Sequence, residues 1–161
     1  MTKLIKKPIF ITITAFVFFL IFSAYSYASS ISSDLSKSVF RLHVIANSDS
    51  DEDQSLKLQV RDKLLDYMNS ITANVSSKDD AIKIAQDHQK DFQIIAEQTI
   101  LDKGYSYLVT VEIGNYEFPT KHYGDITLPS GYYDALRVKI GDACGHNWWC
   151  VMFPPLCFVD V

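Results

Sequence analysis

Gly104-Tyr105-Ser106-Tyr107-Leu108-Val109-Thr110-Val111-Glu112-Ile113-Gly114-Asn115 is where the periodicity of the chain changes. Within it, Tyr105, Tyr107, Val109, Val111 and Ile113 alternate with Ser106, Thr110 and Glu112, whereas upstream the apolar residues recur every three or four positions. A period of two marks a half-buried strand, and a period near 3.6 an amphipathic helix. Gly104 is placed to stop the preceding helix. Gly114-Asn115 has the composition of a hairpin turn, so Tyr116–Phe118 is expected to return antiparallel.

Upstream, Ser77 and Asp80 cap a helix carrying Ala81, Ile84, Ala85, His88, Phe92, Ile95 and Ile100. An earlier helix is predicted over about Glu52–Asn69, with Leu56, Val60, Leu64 and Tyr67 in helical register, joined by Leu58, Leu65 and Met68. The acidic turn Asn47–Asp53 leads into it, and Ser50 with Asp53 resembles a capping box with Asp in place of Glu. Before that turn, Phe40–Ala46 reads as a strand with Phe40, Leu42, Val44 and Ala46 on one face and Arg41 and His43 on the other.

Downstream, Leu128-Pro129-Ser130-Gly131 is a turn. Tyr133–Ile140 is a strand with Leu136, Val138 and Ile140 inward and Arg137 and Lys139 outward. Gly141–Asn147 is a loop, and Trp148–Phe153 a last apolar strand. Strand, helix, helix and then a run of strands predicts an α+β fold, a mainly antiparallel sheet with two helices packed on one face.

Residues 1–28 differ from the rest. Lys3, Lys6 and Lys7 precede an apolar run, Ile9–Phe22, and Ser23–Ala28 supplies small residues for a cut after Ala28. That layout is a signal peptide or, left uncut, an N-terminal membrane anchor. The lysines keep the N-terminus cytoplasmic, so the remainder faces outward in either case. Residues 29–38 read as a loose tether and 39–161 as a single domain. The leader holds three of the 15 basic residues and none of the 19 acidic ones, so the remaining 133 residues carry a formal charge of −7. Such an acidic domain argues against nucleic acid as a partner, and restricts membrane contact to an uncleaved leader.

Asp49–Asp53 lacks the glycine and glutamate of a calcium loop, since Gln54 and Val60 stand in their places. His43, His88, His122 and His146 form no metal-ligand spacing. Neither a metal nor a cofactor is expected. Cys144, Cys150 and Cys157 leave at least one thiol over. A Cys150–Cys157 bridge across the turn at Pro154-Pro155 and unpaired thiols are both open to the chain. Trp148 and Trp149 must point to opposite faces of their strand, and tryptophan serves both cores and binding hot spots.

Two blocks, Arg41-Leu42-His43-Val44-Ile45-Ala46-Asn47-Ser48-Asp49-Ser50 and Asn147-Trp148-Trp149-Cys150-Val151-Met152-Phe153-Pro154-Pro155-Leu156-Cys157, resemble the stage II sporulation protein R family of endospore-forming bacteria. Pro129–Tyr132 and Ala135–Val138 fit its pattern as well, whereas Cys144 and the end at Val161 depart from it. The resemblance implies an exported signal, secreted across the forespore membrane into the space between forespore and mother cell. There it would activate, by binding, a membrane-embedded aspartic protease that processes pro-sigma-E in the mother cell. His43, Asn47, Ser48, Asp49, Trp148 and Trp149 are the expected partner-binding residues, with no catalytic set. The competing reading is an extracytoplasmic cell-wall hydrolase using His43 and Asp49 as acid–base groups.

Overall fold

The computed structural model describes residues 2–155. The chain divides into two compact units, a leader ending at Leu35 and a second unit beginning at Ser36.

Helix α1 spans Thr2–Ser38, continuing through the serine-rich stretch read as a tether. Its segment Ile9–Tyr27, 19 residues of mean hydropathy 2.2, is long and apolar enough to cross a membrane. It fits a signal peptide or an anchor.

The second unit runs β1 (Phe40–Ile45), α2 (Asp51–Ile71), α3 (Lys78–Asp87), α4 (Gln89–Asp102), β2 (Val109–Phe118), β3 (Lys121–Tyr123), β4 (Ile126–Leu128), β5 (Gly131–Ile140) and β6 (Asn147–Phe153). Four strands form one sheet in the order β2-β5-β1-β6, and β3-β4 is a separate hairpin. The β2–β5 and β1–β6 pairs are antiparallel, while β1–β5 is parallel. The fold is thus α+β with a mainly antiparallel sheet, as the periodicities predict.

The alternation of β1 sets the layers. Leu42 and Val44 face the helices and are fully buried, alongside Leu136 and Val138 of β5. Leu56, Val60, Leu64, Met68, Phe92, Ala96 and Ile100 of α2 and α4 complete that core. Burying each large side chain contributes roughly 1.5–3 kcal/mol.

Three of the departures from the predicted elements shape the rest of this unit. The helix expected from Ser77 to Gly104 is two helices meeting at His88, whose backbone (φ −102°, ψ 15°) leaves the helical region. There Asp91 Oδ2 accepts from Tyr67 Oη (2.8 Å) and lies 2.8 Å from His88 Nδ1, tying the junction to α2. Burial, followed by the hydrogen bond to Asp91, pushes the Tyr67 hydroxyl up to about 12. Gly114-Asn115 is not a turn but lies inside β2, where Gly114 pairs with Ala135 and Asn115 with Asp134. Asn115 Nδ2 donates to Asp134 Oδ1 (3.0 Å), and the ring of Tyr116 folds over Gly114 so closely that a Cβ there would meet its hydroxyl at 3.0 Å. The polar face of Arg41 and His43 is not open to solvent, which is the third: Arg41 is fully buried and His43 half-buried.

Candidate functional site

The side of the sheet away from the helices carries the polar chemistry. Register places Glu112 beside Arg137, Arg137 beside His43, and His43 beside Trp149, one rung across all four strands. Arg137 donates to Glu112 Oε2 through Nη2 (2.6 Å) and Nε (3.1 Å), and its guanidinium lies 3.9 Å from the Tyr116 ring centroid. Lys139, on the next rung, reaches Glu112 Oε1 at 3.3 Å. The Arg137 hydrogen bonds hold the Glu112 carboxyl below its ordinary range. His43 stacks on Trp149 with centroids 5.5 Å apart, and its Nε2 is 2.8 Å from Asn147 Oδ1.

The β3–β4 hairpin lies over one end of this face. Tyr123 Oη accepts from Arg41 Nη2 (2.7 Å) and donates to the Trp149 carbonyl (3.1 Å), and Lys121 Nζ sits 4.7 Å from the Trp149 ring centroid. Arg41 has no ion pair among the described residues. Aromatic rings hold it instead, Phe118 at 4.1 Å and Tyr133 at 4.7 Å from the guanidinium carbon.

Burial, with the nearby Arg137, Arg41 and Lys139, holds His43 below its ordinary value despite the Asn147 contact. The folded protein therefore binds fewer protons here than the unfolded chain between the two pKa values. The contribution of His43 to stability is full above about pH 6.5 and declines as pH falls below it. An NMR titration of the histidine ring should show His43 still neutral below pH 6.5, and His43→Gln should flatten that part of the stability profile.

The turn singled out in the sequence is a lock. Asn47 Oδ1 accepts from Asp142 N (3.0 Å) and its carbonyl from Cys144 N (3.2 Å), while its Nδ2 donates to Asp53 Oδ2 (2.8 Å). Ser48 Oγ donates to the same carboxylate oxygen (2.6 Å). Asp49 Oδ1 accepts from the His146 backbone and faces His146 Nδ1. Half of the expected capping box forms: Ser50 Oγ accepts from Asp53 N (3.2 Å), but Asp53 turns away and Ser48 Oγ takes the Ser50 N–H. Burial alone would raise the Asp53 carboxyl, but hydrogen bonds from Ser48, Asn47 and Tyr107 outweigh it and hold it low. Gly141 (φ +56°) and Gly145 close the lock, since a Cβ on either would run into Asn47 or the Ser48 carbonyl.

The predicted residues thus fall into three places. His43 and Trp149 lie together on the helix-free face. Asn47, Ser48 and Asp49 sit in the lock. Trp148 points to the helix side, under the Arg61 guanidinium at 4.2 Å. The two groups named for acid–base chemistry have separate partners, Asn147 for His43 and His146 for Asp49. Cys144 is free and exposed. Cys150 is buried and disulfide-bonded, and its expected partner, Cys157, lies outside the described residues. No cluster suited to a metal ion is present among the described residues. Sequence reasoning missed Arg41, Lys121 and the β3–β4 hairpin. The signal was an aromatic set, Phe118, Tyr123 and Tyr133, grouped around Pro119 and Pro129.

Stage II sporulation protein R matches residues 36–161, the whole of the second unit. The chain belongs to the stage II sporulation protein R family. It is 38% identical over 120 residues to stage II sporulation protein R of Bacillus subtilis (strain 168), covering 74% of this chain and 54% of that protein. The chain therefore spans about half the length of the curated relative it matches. No solved structure matches it. Both blocks that carry the resemblance map onto the site: Arg41–Ser50 is β1 with the lock, and Asn147–Phe153 is β6. Membership in the stage II sporulation protein R family makes this a sporulation protein.

Proposed function

We propose that this chain is an exported intercellular signal. It crosses the forespore membrane and activates, by binding, a membrane-embedded aspartic protease that processes pro-sigma-E in the mother cell. Family membership carries this reading, and the apolar leader supports it by supplying a route across a membrane. The half-buried aromatic and cationic face around His43 and Trp149 supplies a contact surface, with Asn47, Ser48 and Asp49 fixing the strand ends behind it.

A partner shifts a protease toward its active state only by binding that state more tightly. Moving an equilibrium from 1:99 to 99:1 takes about 5.5 kcal/mol of differential affinity, within reach of a site built around a tryptophan. Co-expression of the chain with the protease and pro-sigma-E in a non-sporulating bacterium should convert the sigma factor to its mature size only when the chain is present. Trp149→Ala should keep its far-UV circular dichroism and reduce conversion about tenfold or more, the range of a hot-spot truncation. Normal conversion by a folded Trp149→Ala would remove this face from the contact.

A further inference from the structure

The helix-free face suggests the chemistry of the partner segment that this reading requires. Lys121, Arg137 and Lys139 lie part-exposed on it, the last two paired with Glu112. Among the described residues Trp149 Nε1 on this face, and Nε and Nη1 of the buried Arg41 beneath, have no hydrogen-bond partner. Buried polar atoms are normally paired, so donors and cations outnumber acceptors here. The rest of the domain is strongly acidic, which makes this cationic strip a local exception.

We infer that the rung Arg137–His43–Trp149, flanked by Lys121 and Lys139, docks an acidic, extended peptide segment of a protein partner. The three rung residues lie on three adjacent strands about 4.8 Å apart, roughly 10 Å in all, a length that about three extended residues cover. Carboxylates along such a segment meet the three cations. An anionic membrane fits less well. It is a broad surface, and within a Debye length it would meet the carboxylates of the acidic domain around the strip as well as its cations.

The test uses the full chain in nonionic-detergent micelles and a fluorescein-labelled octaglutamate peptide, with anisotropy as the readout. Binding should be saturable, should weaken with added salt, and should fall about tenfold in Lys121→Glu/Lys139→Glu. The control pair Lys63→Glu/Lys83→Glu, on exposed helix positions, should bind as the parent does. Absence of binding, or equal loss in both pairs, overturns the inference. In Trp148→Phe, where Trp149 alone emits, a fluorescence response to phosphatidylglycerol added to the micelles, with none to octaglutamate, overturns it in favour of a lipid surface. The same variants in the co-expression assay keep the two readings separate. Octaglutamate binding without sigma-factor conversion by the parent chain leaves the strip standing and removes the protease reading. Conversion that survives Lys121→Glu/Lys139→Glu does the reverse.

Discussion

Asp53→Ala should lower folding stability by about 3 kcal/mol, because one buried carboxylate joins two distant segments. Hydrogen bonds to a charged group contribute about 1.5–3 kcal/mol each, and their loss leaves buried partners unsatisfied. Asp53 is 4% exposed and accepts from both Asn47 and Ser48. Without it Asn47 loses the contact that aims its Oδ1 at Asp142 N, so the loop 141–146 loosens with the turn 47–50. Asp53→Asn keeps the shape and one acceptor, and should fall about halfway between. The control is Asp51→Ala, an exposed first-turn acid whose favourable interaction with the helix dipole is about 0.3–1 kcal/mol. Urea denaturation followed by circular dichroism measures all three, and equal losses for Asp51→Ala and Asp53→Ala would refute the lock. Acid should act in the same sense as the alanine variant. The Asp53 carboxyl is held below its ordinary value, so its contribution is full above about pH 4 and is lost as pH falls through the lowered value.

Arg41→Ala should be comparably damaging, by about 3 kcal/mol, while Arg41→Met should stay within about 1.5 kcal/mol of the parent. The two substitutions separate packing from charge. Arg41 is fully buried and makes one side-chain hydrogen bond, to Tyr123; burial pushes its pKa down, though a guanidinium remains charged in proteins. Truncation to alanine opens a cavity between Phe118, Tyr123 and Tyr133. Methionine fills most of the same volume and removes the desolvation penalty of a cation that has no carboxylate partner among the described residues. If methionine proves as damaging as alanine, the cation–π contacts outweigh desolvation here.

The layers were legible because local periodicity decides them. Leu42 and Val44 against Arg41 and His43, or Leu136 and Val138 against Arg137 and Lys139, separate by alternation alone. The helix break at His88 was not legible, because helical spacing continues through it from Ala85 to Phe92. The contact made there is tertiary, with Tyr67 of α2, which no local window contains. Gly114-Asn115 misled for a related reason. Turn composition is a local preference, and ladder pairing with Ala135 and Asp134 overrode it. At the candidate site, His43 and Trp149 could be named as residue types, but their stacking depends on the β1–β6 register. Arg41 was the harder case, since an arginine on a strand is ordinarily read as solvent-facing.

The strand order β2-β5-β1-β6 carries a consequence for timing. The first strand of the domain is one of its two inner strands, and both of its neighbours come from the last quarter of the chain. Until residues 131–153 arrive, β1 has nothing to pair with, and the helices have no sheet to rest on. On the proposed export route, a polypeptide threading through a translocon N-terminus first would therefore lack its complete sheet for most of its passage. It would acquire its rung of Arg137, His43 and Trp149 only after the distal strands had emerged. On that proposal, a chain stalled partway could not present the rung.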